Sequence, residues 1–138
     1  MSSIIQCLRQ MPSKDLREMA GRLVPGRPSG RESTPDLLFF LAEKLLDEAF
    51  LSELADSLTE RERRVITLLL WGGAVSGIPG EQLQWVLARA GDEAPRESIA
   101  SLSRRGIVFG TLSAPWSALY VPHDLAEKLA RILAQKTL

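Results

Sequence analysis

The sequence predicts a mostly α-helical protein with a small β-hairpin near its C-terminal end. Apolar residues recur at three- and four-residue spacing through most of the 138-residue chain, which is the period of one helix face. Glycines and prolines interrupt these stretches at intervals of about one helix length. The period changes only at "IVFGTL" (107–112) and "ALYVP" (118–122), two short runs of β-prone residues.

Composition and length indicate an ordinary globular domain, or one domain with a smaller attached unit. The chain is 45% hydrophobic and 25% charged. Cys7 is the single cysteine, which excludes an internal disulfide and a multi-cysteine zinc site. Neither an apolar run of membrane-spanning length nor a signal-peptide pattern is present in the sequence, so we expect a cytoplasmic protein that does not bind membranes.

Residues 1–57 are predicted to form a helical N-terminal subdomain. Two short helices open it, with Ser13 as the N-cap of the second. Residues 24–35, "VPGRPSGRESTP", contain three prolines and two glycines and are predicted to form a loop. Thr34 and Pro35 are typical of a helix start, and the apolar spacing continues from there to residue 58 as one long helix.

Residues 58–138 begin with three further helices. Thr59 and Glu62 have the spacing of a capping box at the first of them, which ends at Gly72-Gly73. The second helix ends at Gly91. The third, roughly 95–105, buries Ile99 and Leu102 and ends at Gly106. The predicted hairpin and a C-terminal helix follow, and three helices before a hairpin is the order of a winged helix.

Two sets of residues carry a resemblance to known families. From residue 58 onward the chain resembles winged helix-turn-helix domains, and the Leu102–Phe109 stretch "LSRRGIVF" is similar to their junction between third helix and wing. With "LREMA" (16–20) and "YVP" (120–122), the whole chain resembles the accessory domains associated with XPB-type helicases. The sequence contains no phosphate-binding loop or other helicase motor motif, so the resemblance implies an accessory module without the helicase motor.

The third helix holds the candidate nucleic-acid contacts. At 100° per residue, Glu97, Ala100, Ser101 and Arg104 point away from the buried pair, and Arg96 and Arg105 lie on the flanks. Cationic and hydroxyl side chains hold phosphates in helix-turn-helix proteins. The predicted nucleic-acid-binding residues are Arg96, Ser98, Ser101, Arg104 and Arg105. Glu97 conflicts with this role, because phosphates repel a carboxylate.

Other residues have two interpretations each. Trp116, in a hairpin tip without Lys or Arg, either makes an outside contact, by stacking on a base or filling a partner's pocket, or folds back onto the domain. The "ERERR" run at 60–64 is typical of a solvated, internally paired helix start rather than a nucleic-acid patch. Arg22, Arg27 and Arg31 form a scattered basic cluster around the loop. Cys7 is expected to be buried, and His123 to be a cap or surface residue.

These observations predict a non-catalytic module that binds nucleic acid, with double-stranded DNA as the expected ligand. It would act as a regulator, or as an accessory of a helicase, another DNA-processing assembly or a transcription assembly. The 17 cationic and 17 acidic side chains balance, so binding must rely on a local basic face. The alternative is a protein-interaction winged helix that docks onto a helicase or transcription assembly. No residue pattern indicates an enzyme, a metal site, a cofactor or a small-molecule ligand.

Overall fold

A computed structural model describes residues 3–23, 33–72, 77–110 and 118–137. Within these ranges the chain is mostly helical, as the sequence predicts, and it contains one two-stranded antiparallel sheet. The elements are α1 (Ile4–Arg9), α2 (Ser13–Leu23), α3 (Thr34–Leu46), α4 (Glu48–Ser57), α5 (Glu60–Gly72), β1 (Ile78–Pro79), α6 (Gly80–Arg89), α7 (Pro95–Arg104), β2 (Ala118–Leu119) and α8 (His123–Thr137).

The caps of α2 and α3 differ from the prediction by one residue each. Ser13 is the first helical residue of α2 rather than its cap, and its hydroxyl lies 3.1 Å from that of Thr34. Ser33 caps α3 in place of Thr34, because its hydroxyl accepts a hydrogen bond from the Asp36 amide at 3.3 Å. Pro35 then occupies the first turn, where its missing N–H costs nothing.

The long helix expected over residues 35–58 is wrong, because Asp47 divides it into α3 and α4. Asp47 adopts an extended backbone with φ −72° and ψ 123°. Its carboxylate accepts a hydrogen bond from the Phe50 amide at 3.0 Å and so caps α4. Aspartate is among the best N-cap residues, and here local capping overrides an unbroken apolar period.

The sheet joins two segments of which the sequence analysis found only one. Ile78 pairs with Leu119, and Pro79 pairs with Ala118, in antiparallel register. β1 escaped prediction because two residues flanked by glycines give no alternating pattern. The two arms of the expected hairpin meet at Phe109 and Tyr120, whose backbones exchange hydrogen bonds of 2.9 and 3.0 Å. The hairpin tip lies outside the described residues.

One continuous apolar core joins both halves of the chain. α8 packs on α1, α3 and α4, and it is fastened there by polar contacts. Lys128 donates to the Leu46 carbonyl at 2.8 Å, and Lys136 pairs with Asp56 at 2.8 Å. The core therefore contains residues from both sides of the predicted domain boundary at residue 57. The division of the chain into two domains stays a prediction. Among the described helices, none combines the length and apolarity needed to span a membrane.

Gly106 follows α7 at a position where a Cβ atom would crowd neighbouring side chains. Its φ is +79°, and a Cβ atom would lie 3.1 Å from both the Leu45 Cδ1 and the Met19 Sδ atoms. Gly91, after α6, also has a positive φ, of +101°, but nothing lies within 4 Å of its Cβ position. The two glycines therefore separate backbone strain from steric crowding.

We expect Gly106→Ala to lower the free energy of unfolding by about 2–4 kcal/mol, from strain plus crowding. Gly91→Ala is the matched control and should cost about 1–2 kcal/mol, from strain alone. Urea unfolding followed by circular dichroism measures both. Equal losses in the two variants would contradict the close packing of Gly106 against Met19 of α2 and Leu45 of α3.

Candidate functional site

α7 is the element on which the candidate residues converge. Pro95 occupies its first turn, and Ile99 and Leu102 are fully buried, as their spacing predicts. Arg96, Glu97 and Arg104 are exposed, while Ala100 and Ser101 are half-buried. The predicted buried and outward faces of α7 are therefore confirmed in outline. The polar contacts at its sides determine which of these groups are available to a ligand.

Asp92 fixes the turn between α6 and α7. Its carboxylate is buried and accepts hydrogen bonds from the Ala94 amide at 2.9 Å and from the Ser98 hydroxyl at 2.8 Å. Arg61 of α5 completes the site with an Nη2–Oδ1 distance of 2.7 Å. Burial alone would raise the pKa of Asp92, but the bonds from Arg61, Ser98 and Ala94 outweigh it and hold the pKa below its ordinary value.

This arrangement changes the interpretation of Ser98. The residue is only 5% exposed, and its hydroxyl donates to Asp92 rather than facing outward. The spacing of apolar residues on α7 could not show this partner. Ser98 thus supports α7 from inside, and its predicted contact with nucleic acid would require the Asp92 bond to break.

Glu62 is the corresponding buried carboxylate on α5. The expected capping box is confirmed, because the Thr59 amide donates to Glu62 at 3.0 Å and the Glu62 amide donates to the Thr59 hydroxyl at 3.1 Å. The Ser101 hydroxyl also donates to Glu62 at 2.8 Å, and the Arg105 Nε atom lies 4.0 Å away. Burial raises the pKa of Glu62, but bonds from Thr59 and Ser101, with the Arg105 charge, lower it overall.

The "ERERR" run is paired with its neighbours more than the sequence indicated. The predicted pair at four-residue spacing exists, since Arg64 lies 3.1 Å from Glu60. All three of its arginines also donate to backbone carbonyls elsewhere: Arg61 to Ala94 at 3.0 Å, Arg63 to Ala55 at 3.2 Å and Arg64 to Ala90 at 3.3 Å. The run therefore bonds α5 to neighbouring segments. The expectation that the whole run is solvated is wrong for Glu62, which is buried.

The two arginines at the end of α7 are unequal. Arg105 is half-buried and donates to the Ser57 hydroxyl at 3.2 Å, beside Glu62. Arg104 is exposed, and its side chain has no hydrogen bond or ion pair within the described residues; the same holds for Arg96. Eight residues separate these two cations, or about 12 Å along the helix axis.

A groove lies where α7 ends against the N-terminal helices. It has a volume of about 480 Å³. Arg22 of α2 reaches its rim and donates to the Arg104 carbonyl at 3.2 Å. Of the scattered basic cluster seen in the sequence, Arg22 therefore joins α7, while Arg27 and Arg31 lie outside the described residues.

The remaining candidates fall elsewhere. Cys7 is buried as expected, with its Sγ atom 3.6 Å from the Tyr120 hydroxyl, and burial raises the pKa of its thiol. His123 is exposed at the start of α8. Trp116 lies outside the described residues. No group of three or more potential metal ligands occurs in the ranges that the structure describes.

Two exposed tryptophans went unnoticed in the sequence. Trp71 and Trp85 are 62% and 60% exposed. The guanidinium of Arg89 lies 4.6 Å from the centre of the Trp85 ring, an i,i+4 cation–π contact on α6. The spacing of Trp85 and Arg89 was the available signal, since residues four apart share a helix face.

We expect Asp92→Asn to lower the free energy of unfolding by about 2 kcal/mol at neutral pH, because it weakens charge-assisted bonds in a buried site. A carboxyl with a lowered pKa stabilises the fold above its ordinary value of 3.8 and loses that effect as the pH falls through the folded-state pKa. The deficit of the variant should therefore shrink on acidification. Urea unfolding at neutral and acid pH measures this.

Asp56→Asn is the matched control, because Asp56 is an exposed partner of Lys136. It should cost less than about 1 kcal/mol. A loss at Asp92 no larger than at Asp56, or one that persists unchanged in acid, would contradict the buried site.

Comparison of the chain with protein-family models, with curated proteins and with solved structures gives no match.

Proposed function

We propose that the chain is a non-catalytic winged-helix module that binds double-stranded DNA through the outward face of α7. The winged-helix assignment is supported by the order of three helices, α5 to α7, before two antiparallel segments that meet at Phe109 and Tyr120. β1, between α5 and α6, extends that pairing through Leu119. As in other helix-turn-helix proteins, α7 would be the helix that approaches the bases.

One observation carries the proposed function: the sorting of the arginines around α7. Arg61, Arg63, Arg64 and Arg105 are committed to neighbouring groups. Arg96 and Arg104 point outward without partners in the described part of the chain. Their spacing of about 12 Å along α7 lets the two cations approach different phosphates of a duplex when α7 lies in the major groove.

The charge around this face indicates weak binding. Glu97 is exposed beside Arg96 and would repel phosphates, and the whole chain has no net charge. Each phosphate contact contributes a slope of about 0.9 to the dependence of log affinity on log salt concentration. Two contacts from α7, with Arg22 as a third cation nearby, support non-specific affinity rather than tight sequence-specific recognition. Such affinity suits an accessory of a larger DNA-processing assembly.

A second candidate function is docking onto a protein assembly, such as a helicase or transcription complex. The exposed Trp71 and Trp85 favour it, because tryptophans are enriched among the residues that dominate binding energy at protein interfaces. Both lie on the α5–α6 side rather than on α7. The two functions therefore use different residues and can be tested separately.

We expect the Arg96→Ala/Arg104→Ala double variant to bind a labelled DNA duplex more weakly than the unchanged protein, with a salt slope lower by about 1.8. Fluorescence anisotropy in a salt series measures both quantities. Arg9→Ala is the matched control, because Arg9 is an exposed arginine at the end of α1. It should leave the slope unchanged.

Glu97→Gln provides the opposite test of the same face. Removing this carboxylate should tighten duplex binding several-fold at low salt and lose that advantage at high salt, where charges are screened. The proposal is contradicted if the unchanged protein does not bind the duplex. It is also contradicted if the α7 and α1 variants lose affinity equally.

A further inference from the structure

The groove between α2, α4 and the end of α7 has a lining that nucleic-acid binding does not explain. Its walls combine three arginines with three apolar side chains from the N-terminal helices: Arg22, Arg104, Arg105, Leu23, Phe50 and Leu54. Its volume of about 480 Å³ is in the usual range of ligand-binding pockets. Phosphate contacts need cations and hydroxyls but not an apolar floor.

The charged groups of the groove favour a carboxylate ligand. Arginine presents a planar fork of donors that matches a carboxylate in bidentate geometry. Three arginines and one carboxylate, Glu53, line the groove. Arg22 also pairs with Glu18 at 3.5 Å, but this ion pair is exposed, so a ligand carboxylate can replace it. Arg105 already shares Glu62 and Ser57 and is held in place, while Arg104 is exposed. A ligand with carboxylates and an apolar side chain would complement both parts of the lining.

The groove shares Arg104 with the outward face of α7 but otherwise lies beside that face. Arg22 donates to the Arg104 carbonyl, so the α2 helix closes the groove against the last turn of α7. Phe50 and Leu54 come from α4, which lies across the groove from α7. Arg96, at the opposite end of α7, does not line it. A segment in the groove would therefore leave most of the α7 face uncovered.

We propose that this groove binds an acidic peptide segment of a partner protein, in which an apolar side chain is flanked by Asp or Glu residues. The apolar side chain packs on Phe50 and Leu54, and the carboxylates bond to Arg22 and Arg104. This proposal does not depend on DNA binding. It gives the module a protein-docking site beside its nucleic-acid face.

The test uses the full chain and a labelled peptide in which leucine and phenylalanine alternate with glutamate, with a glutamine version of the same peptide as its pair. Fluorescence anisotropy should show tighter binding of the glutamate peptide. Arg22→Ala should weaken that binding about five- to tenfold, because it removes a charge-assisted bidentate donor. Arg9→Ala, an exposed arginine on α1, is the matched control and should have no effect.

A second variant tests whether weaker peptide binding in Arg22→Ala could come from loss of folding. Glu53→Gln removes the only carboxylate among the residues that line the groove and should tighten binding of the glutamate peptide about threefold. Arg96→Ala should leave peptide binding unchanged, whether or not the chain binds DNA. Failure of the glutamate peptide to bind, or equal affinity for the two peptides, overturns the proposal. The proposal is also overturned if Arg22→Ala loses as much duplex binding as Arg96→Ala and the duplex displaces the peptide. The groove would then bind nucleic acid.

Discussion

The buried carboxylate of Glu62 fixes the rotation of α7, and the candidate surface depends on that rotation. A carboxylate removed from water is destabilising unless hydrogen bonds and cations compensate it. Glu62 accepts hydrogen bonds from the Thr59 amide and the Ser101 hydroxyl, and the Arg105 guanidinium lies nearby. Turning α7 about its axis would break the Ser101 bond and leave the charge of Glu62 poorly compensated. The side of α7 that carries Arg96 and Arg104 is consequently held toward solvent.

Asp92 adds a second constraint at the other end of the same helix. It binds Ser98 and Arg61, so the two buried carboxylates hold α7 at successive turns. Between them they engage both of the serines predicted to contact nucleic acid. The two hydroxyls thus hold the helix in place, and the exposed cations that remain on α7 are Arg96 and Arg104. Few outward charged groups of α7 then remain for a ligand, which is why the proposed DNA binding is expected to be weak.

Local signals in the sequence predicted most of the helices and one side of α7. The capping box at Thr59, the apolar pair on α7 and the stop at Gly106 each depend on residues close in the chain. Contacts between distant residues could not be predicted: Ser101 and Glu62 are 39 positions apart, and Arg22 and Arg104 are 82 apart. The second of these contacts lies at the rim of the groove. Asp47 was misjudged because its capping bond competes with an apolar period that continues through it.

Arginine side-chain Nε–Hε signals, followed by NMR while a short DNA duplex is added, test the sorting of the arginines most directly. We expect the Arg96 and Arg104 signals to shift with the duplex, and the Arg61 and Arg105 signals to stay in place. The Arg61 Nε atom donates to Asp92, and Arg105 is held by the bond from its Nη1 atom to Ser57 and by Glu62, 4.0 Å from its Nε atom. Shifts at Arg61 and Arg105 with Arg96 unmoved would contradict both the role of Glu62 and the proposed interface.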